Sequence, residues 1–250
     1  MTPPGAPPHG APGPGSDGAR PAPGRGPRLG APPGRLLVAA ALCAALFTAA
    51  AVTVALRHGA PLAPERAALH WSTTHRGEPL RSLARALTTT GTGPIPYALA
   101  LLAGLLAAGR GTFPHRLRAA LFSVLFLAAG QALRYGLMEL IARPRPPAAD
   151  WAATATGHSF PSGHATTSAL TAGILAWAIL RRTGPGRGLT WCALPALWAA
   201  GVGLTRVYLG VHWAGDVLAG WLLAATLLPL ALLLLAPLAT PHRPESLPSP

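Results

Sequence analysis

The stretch Arg206-Val207-Tyr208-Leu209-Gly210-Val211-His212-Trp213-Ala214-Gly215-Asp216 sets an arginine, a histidine and an aspartate at the boundary between two long apolar segments. Ionisable side chains in such a place need a reason to be there. His212 and Asp216 are four apart. A helix opening near Trp213 would bring the carboxylate beside the imidazole, where it can hold the proton of one ring nitrogen and leave the other nucleophilic. Arg206, across the intervening turn, offers a planar fork to a phosphate or carboxylate bound in front of that histidine. Histidine, tryptophan and arginine are also common at membrane surfaces, so the stretch reads as a site only if a matching cluster lies elsewhere.

A second cluster lies between Arg143 and His164. Arg143-Pro144-Arg145-Pro146-Pro147 is followed by Asp150, Trp151 and then Gly157-His158-Ser159-Phe160-Pro161-Ser162-Gly163-His164, with no hydrophobic period. That pattern predicts an irregular loop leading into a helix. Ser162 is placed to act as N-cap, and Gly163 lets a ligand approach the backbone. The free N–H groups and the positive end of the helix dipole make a phosphate cradle. His164 faces the same place and can protonate a departing oxygen. Arg143 and Arg145, in a proline-stiffened loop, add fixed positive charge, and His158 is a candidate auxiliary group. Each piece alone is commonly mere punctuation, and the reading rests on their convergence on one membrane face.

The elements that must position these groups are apolar helices. Half of the residues are apolar and 11% are charged, and the apolar residues come in runs too long for a soluble core, so the chain reads as an integral membrane protein. The formal charge of +13 comes from twenty arginines, with no lysine, scattered between those runs. They form no basic face with aromatic platforms, which excludes nucleic acid and leaves membrane lipids and an anionic lipid substrate as partners. The seven acids, Asp17, Glu65, Glu78, Glu139, Asp150, Asp216 and Glu245, are spread too widely in sequence for a magnesium or two-metal site. Phosphate chemistry without metal or other cofactor is the expectation. Cys43 and Cys192 fall inside apolar runs, without metal-ligand spacing, and read as small buried hydrophobes.

Taken in order, residues 1–34 are a Pro/Gly-rich tail that cannot bury enough surface to fold. Leu36 to Leu56 is an apolar run flanked by Arg35 and Arg57, too long and too far from the start for a signal peptide. The polar segment Arg57 to Gly93 contains one short surface helix, Pro79 to Leu87. Pro94 to Gly109 is the weakest spanning candidate. Ala119 to Ala142 is interrupted by Gln131, Arg134 and Glu139, which at such depth should face a cavity. Further spans run from His164 to Leu180, Leu189 to Thr205 and Ala214 to Ala239, and residues 240–250 form a second disordered tail. The expected fold is therefore all-α, a polytopic bundle of six transmembrane helices over residues 35–239 with its motifs in 134–216. Six spans leave both termini on one side. Three arginines in the first tail together with Arg35, three in each of two loops and one after the last span make eleven there, against five in the first outer loop. That bias favours cytoplasmic termini and a site on the extracytoplasmic side of the cell membrane. Two crossings separate the Pro-Ser-Gly-His loop from His212, so both clusters emerge on one face.

In these residues the chain resembles the phosphatidic acid phosphatase type 2 superfamily of lipid phosphate phosphatases. That family's pattern is Lys, six residues, Arg-Pro; then Pro-Ser-Gly-His; then Ser-Arg, five residues, His, three residues, Asp. Pro161 to His164 matches the second block completely. In the third, Thr205 replaces the serine while Arg206, His212 and Asp216 keep the spacing; in the first, Arg145-Pro146 matches but Met138 stands where the family has lysine. The resemblance implies six helices and a nucleophilic His212 that forms a phosphohistidine. It further implies that Asp216 orients His212, that His164 is the general acid, and that Arg145, Arg206, Ser162 and Gly163 cradle the phosphate. Arg134, four positions before Met138, can extend its side chain to where the family lysine would end; pairing with Glu139 or Gln131 is the alternative. Phosphatidate, phosphatidylglycerol phosphate and polyprenyl pyrophosphate share the phosphate that such a site reads. The rival reading is a catalytically weakened relative that binds lipid phosphate. A transporter would need internally repeated helices, which the sequence lacks.

Overall fold

The computed structural model describes residues 33–238, so the expected tails lie outside the described residues except for Pro33 and Gly34, which open the first helix. Proline occupies the first turn of four successive helices, where its missing N–H costs nothing. The helices are α1 (Pro33–Leu56), α2 (Ala63–Thr74), α3 (Glu78–Thr89), α4 (Pro94–Ala108), α5 (Phe113–Ile141), α6 (Gly163–Tyr208) and α7 (Ala214–Leu238). A single 3-10 turn, Ala148–Asp150, interrupts the long loop before α6, and no strand occurs among the described residues.

At 46 residues, α6 would be about 69 Å long if straight, more than twice a bilayer's hydrocarbon thickness of about 30 Å. It is not straight. Gly184 adopts φ 73° and ψ 175°, a conformation open to glycine alone, and Pro185 follows. The two limbs run antiparallel: Cys192 Sγ bonds to Ala176 O and Ser168 Oγ to Ala199 O, each at 3.5 Å and each pair nearly equidistant from Gly184. The hairpin brings His164, at the start of the first limb, to the same end as Arg206, at the close of the second.

α7 packs on α6 and α1, and α4 packs between α5 and α6. Ala100, Leu127, Leu170 and Ala224, one from each of α4 to α7, meet in a buried cluster. Ala103, Ala107, Ile174 and Ala178 form another. Small residues let the backbones approach, and a Cβ on Gly104 would lie 2.6 Å from the Ala119 carbonyl oxygen. Leucines such as Leu42, Leu125, Leu197 and Leu218 point outward, as they would toward lipid.

Helix length and composition give four candidate spans, in α1, α5, α6 and α7, or five if α3 and α4, bent by 53°, count as one broken span. The expected count of six separate spanning helices is therefore not what the helices themselves present. α4 at 15 residues is only about 22 Å long, and the two spans expected over His164 to Thr205 are one helix with a break, the basic segment Arg181 to Gly188 being helical on either side of Gly184. The polar stretch before α4 holds two helices where one short helix was expected. The chain is a multi-pass membrane protein.

Candidate active site

α7 opens at Ala214, so His212 lies just outside it. Asp216 sits in the first turn and accepts the Trp213 backbone N–H at 2.9 Å through Oδ2, the bond by which a carboxylate ties down a helix entrance. The same Oδ2 lies 3.4 Å from His212 Nδ1. The sequence spacing thus gives the expected pairing, with the helix opening between the two residues and Asp216 capping it. His212 Nε2 faces Arg145 Nη1 at 3.0 Å. A guanidinium only donates, so Nε2 is the acceptor and the ring proton belongs on Nδ1, toward Asp216. Burial pushes the His212 imidazole down to about 4 against the pull of Asp216, with Arg145 and Arg206 adding to the fall. At neutral pH it is an uncharged base with its lone pair turned to the cavity.

That cavity, about 550 Å3, is walled by His212, His164, Gly163 and the arginines Arg134, Arg145 and Arg206. Arg145 is fastened by three backbone carbonyls, Nε to Gly157, Nη1 to Val211 and Nη2 to Thr156, at 2.8 to 2.9 Å. Arg206 is buried, held by Nη1 to Thr88 Oγ1 at 3.0 Å, with its Nε unpartnered. Arg134 reaches down from α5 so far that a Cβ on Gly163 would stand 3.1 Å from its Cζ. Its Nη1 donates to Met138 Sδ at 3.1 Å, and no hydrogen bond joins it to Glu139 or Gln131 among the described residues. A side chain at 163 would press on this guanidinium and make it give by a few tenths of an ångström.

Two sequence expectations need correction, and one candidate falls away. Ser162 occupies the N-cap position of α6, but its Oγ makes no capping bond and is buried without a partner; its N–H bonds to Asp216 O at 2.9 Å, joining the two motif blocks. Arg143 does not add charge to the cavity. It is 2% exposed and turns away to Asp216 Oδ1 at 2.6 Å and to both oxygens of Glu65 at 3.1 and 2.8 Å. Burial works against its charge, but the two carboxylates outweigh burial and raise its pKa. His158 faces Glu139, 3.9 Å away, and does not line the cavity.

Sequence reading missed Glu65 and Thr88. Glu65 is buried beside the Arg143 guanidinium and also accepts the Leu62 and Gly215 N–H groups. The chain His212, Asp216, Arg143, Glu65 therefore ties α2 to the histidine. Removing Arg143 would leave the buried Glu65 and Asp216 carboxylates without their shared cation, a loss of about 3–5 kcal/mol, whereas removing Glu65 leaves Arg143 still paired with Asp216. A lone glutamate in an amphipathic stretch gives no signal of this. Among the described residues, no group of three His, Cys, Asp or Glu side chains is placed to hold a metal ion.

The residues brought together here include those of the three motif blocks. No curated protein matches the chain in sequence. Its fold is similar to the crystal structure of a transmembrane PAP2-type phosphatidylglycerolphosphate phosphatase from Bacillus subtilis, with a TM-score of 0.66 and 24% identity over 77% of this chain and 94% of that one. The PAP2 superfamily model matches residues 117–238, a range that takes in most of α5, all three motif blocks and α7. Over those residues, just under half of the chain, the protein is similar to the PAP2 superfamily.

Proposed function

We propose that this protein is a membrane phosphatase that hydrolyses a lipid phosphate or pyrophosphate through a phosphohistidine on His212, without metal. The observation that carries the reading is the His212 ring itself: Nδ1 tied to Asp216, and Nε2 turned at 3.0 Å toward a guanidinium inside a cavity of arginines. Nε2 attacks phosphorus as the bond to the leaving oxygen breaks, and His164 passes a proton to that oxygen. The phosphate's own negative charge supports the protonated form of His164 until transfer. Arg134, Arg145, Arg206 and the N–H groups at the start of α6 neutralise charge on the transferring oxygens. In the second half, water attacks the phosphohistidine, His164 takes its proton, and phosphate departs from His212. The positive charge that a metal would supply is already provided by side chains.

Purified protein should release phosphate from at least one of phosphatidate, phosphatidylglycerol phosphate and a polyprenyl diphosphate, at an undiminished rate in EDTA. Loss on chelation restored by magnesium would overturn the metal-free mechanism. Absence of release from all three would favour the rival reading, a lipid-phosphate-binding relative, for which Met138 in place of lysine is the motivating observation.

Six crossings follow if each limb of α6 spans once and α3 with α4 spans once, an arrangement that both the Gly184 reversal and the 53° bend support. Both termini are then cytoplasmic and the site extracytoplasmic, as the arginine distribution favours. A cysteine at the exposed Ala148, in a chain whose Cys43 and Cys192 are replaced by alanine, should react with an impermeant thiol reagent in intact cells. Labelling only after lysis reverses the orientation.

A further inference from the structure

A second cavity, about 760 Å3, adjoins the first. The two share only Thr92, Thr154, His164 and Arg206; His212 lines the first alone, while Arg85, Thr88 and Thr89 of α3 line the second with residues 151–153. His164 therefore stands on the wall between them. In phosphoryl transfer the attacking and leaving atoms lie roughly in line on opposite sides of phosphorus. If His212 attacks from the first cavity and His164 protonates the leaving oxygen, the leaving group departs past His164, into the second.

That second cavity is cationic. Arg85 is anchored by Nε to the Ala152 carbonyl at 2.7 Å, and its two Nη groups make no hydrogen bond among the described residues. Arg206 forms part of the wall, and neither Asp nor Glu lines the space. A neutral leaving group such as diacylglycerol would leave this charge unused. A leaving group with its own phosphate charge would meet a fork already held in place.

We infer that the second cavity is a leaving-group subsite, and that Arg85 selects lipid phosphates whose leaving group itself carries a phosphate negative charge. That charge is the remaining monophosphate of a lipid diphosphate or the phosphodiester of a phosphorylated glycerophospholipid. The inference rests on the phosphatase reading above. Its test is kcat/KM of the purified full chain, and of Arg85→Gln and Arg85→Lys, on phosphatidate, phosphatidylglycerol phosphate and a polyprenyl diphosphate. Arg85→Gln should lower kcat/KM by about fivefold or more on at least one of the two substrates with anionic leaving groups, and by less than about twofold on phosphatidate, an exposed ion pair being worth little more. Arg85→Lys, which keeps the charge but not the fork, should fall between the wild type and Arg85→Gln on the anionic substrate that responds. Whichever anionic arm falls identifies the source of the charge. An equal fall on all three would mean that Arg85 only anchors the loop at Ala152, and no fall on either anionic substrate would mean that it binds nothing; both overturn the inference. A wild-type protein silent on all three lipids overturns the phosphatase reading itself.

Discussion

His212→Ala should abolish turnover, with a loss of about 10⁴-fold or more, because it removes the atom that forms the covalent bond and no neighbouring group can replace it. The other imidazole in the cavity wall is His164, which has no carboxylate partner among the described residues to hold its tautomer. The accompanying observation is acid-labile phosphate trapped on the wild-type protein in a quenched reaction and missing from His212→Ala. His164→Ala should still form that adduct, and should lose least on substrates whose leaving group needs little protonation. If His164→Ala removes the adduct and His212→Ala keeps it, the two roles are reversed. The pH profile gives an independent reading. Burial lowers the His212 pKa to about 4, so the ring is protonated and inert only below that value. The His212 limb of kcat/KM should then lie near pH 4 and not near 6.5, the value for a free imidazole.

The parts of this site that were legible in the sequence are the parts encoded locally. His212 and Asp216 are four residues apart and meet because one turn of α7 begins between them; Gly163 and His164 are adjacent, and the loop-to-helix change announces itself in the loss of apolar period after Arg143. The hairpin that brings Arg206 to His164 was legible as two crossings, since an even number of crossings returns the chain to its starting face. What was not legible depends on contacts between distant segments. Arg143 and Arg145 look alike as Arg-Pro pairs, yet one turns to Glu65 and Asp216 and the other to His212. The choice is made by α2, which brings a carboxylate from 78 positions away. Thr88 is one threonine in a polar run until α3 lays it against Arg206. The number of crossings was hardest to read, because Gly184 and the bend between α3 and α4 change direction without a long polar break. Hydropathy registers breaks better than it registers bends.

Arg134→Ala should lower turnover by more than tenfold, since loss of one donor to a developing phosphoryl charge commonly costs about 2.7–4 kcal/mol. The helix geometry supports an active role. Arg134 lies one turn from Met138 on nearly the same face of α5, and its guanidinium extends to Gly163 at the mouth of the phosphate cradle. Neither Glu139 nor Gln131 holds it; its bond is to the Met138 thioether, a weak acceptor that gives up a donor readily to a phosphate oxygen. Its Nε is buried with no partner. An arginine kept within an apolar helix, with a thioether as its hydrogen-bond acceptor among the described residues and the Tyr135 ring 5.7 Å from its Cζ, is poorly accounted for as a structural element. Met138→Lys in the Arg134→Ala background should recover part of the loss, because it returns a cation to the position the superfamily uses with no like charge left beside it at 134. Met138→Lys alone should gain little, with two cations then competing for one phosphate. Near-normal turnover in a stably expressed Arg134→Ala protein would instead mean that Arg145 and Arg206 suffice, and that the lysine position has been vacated without replacement.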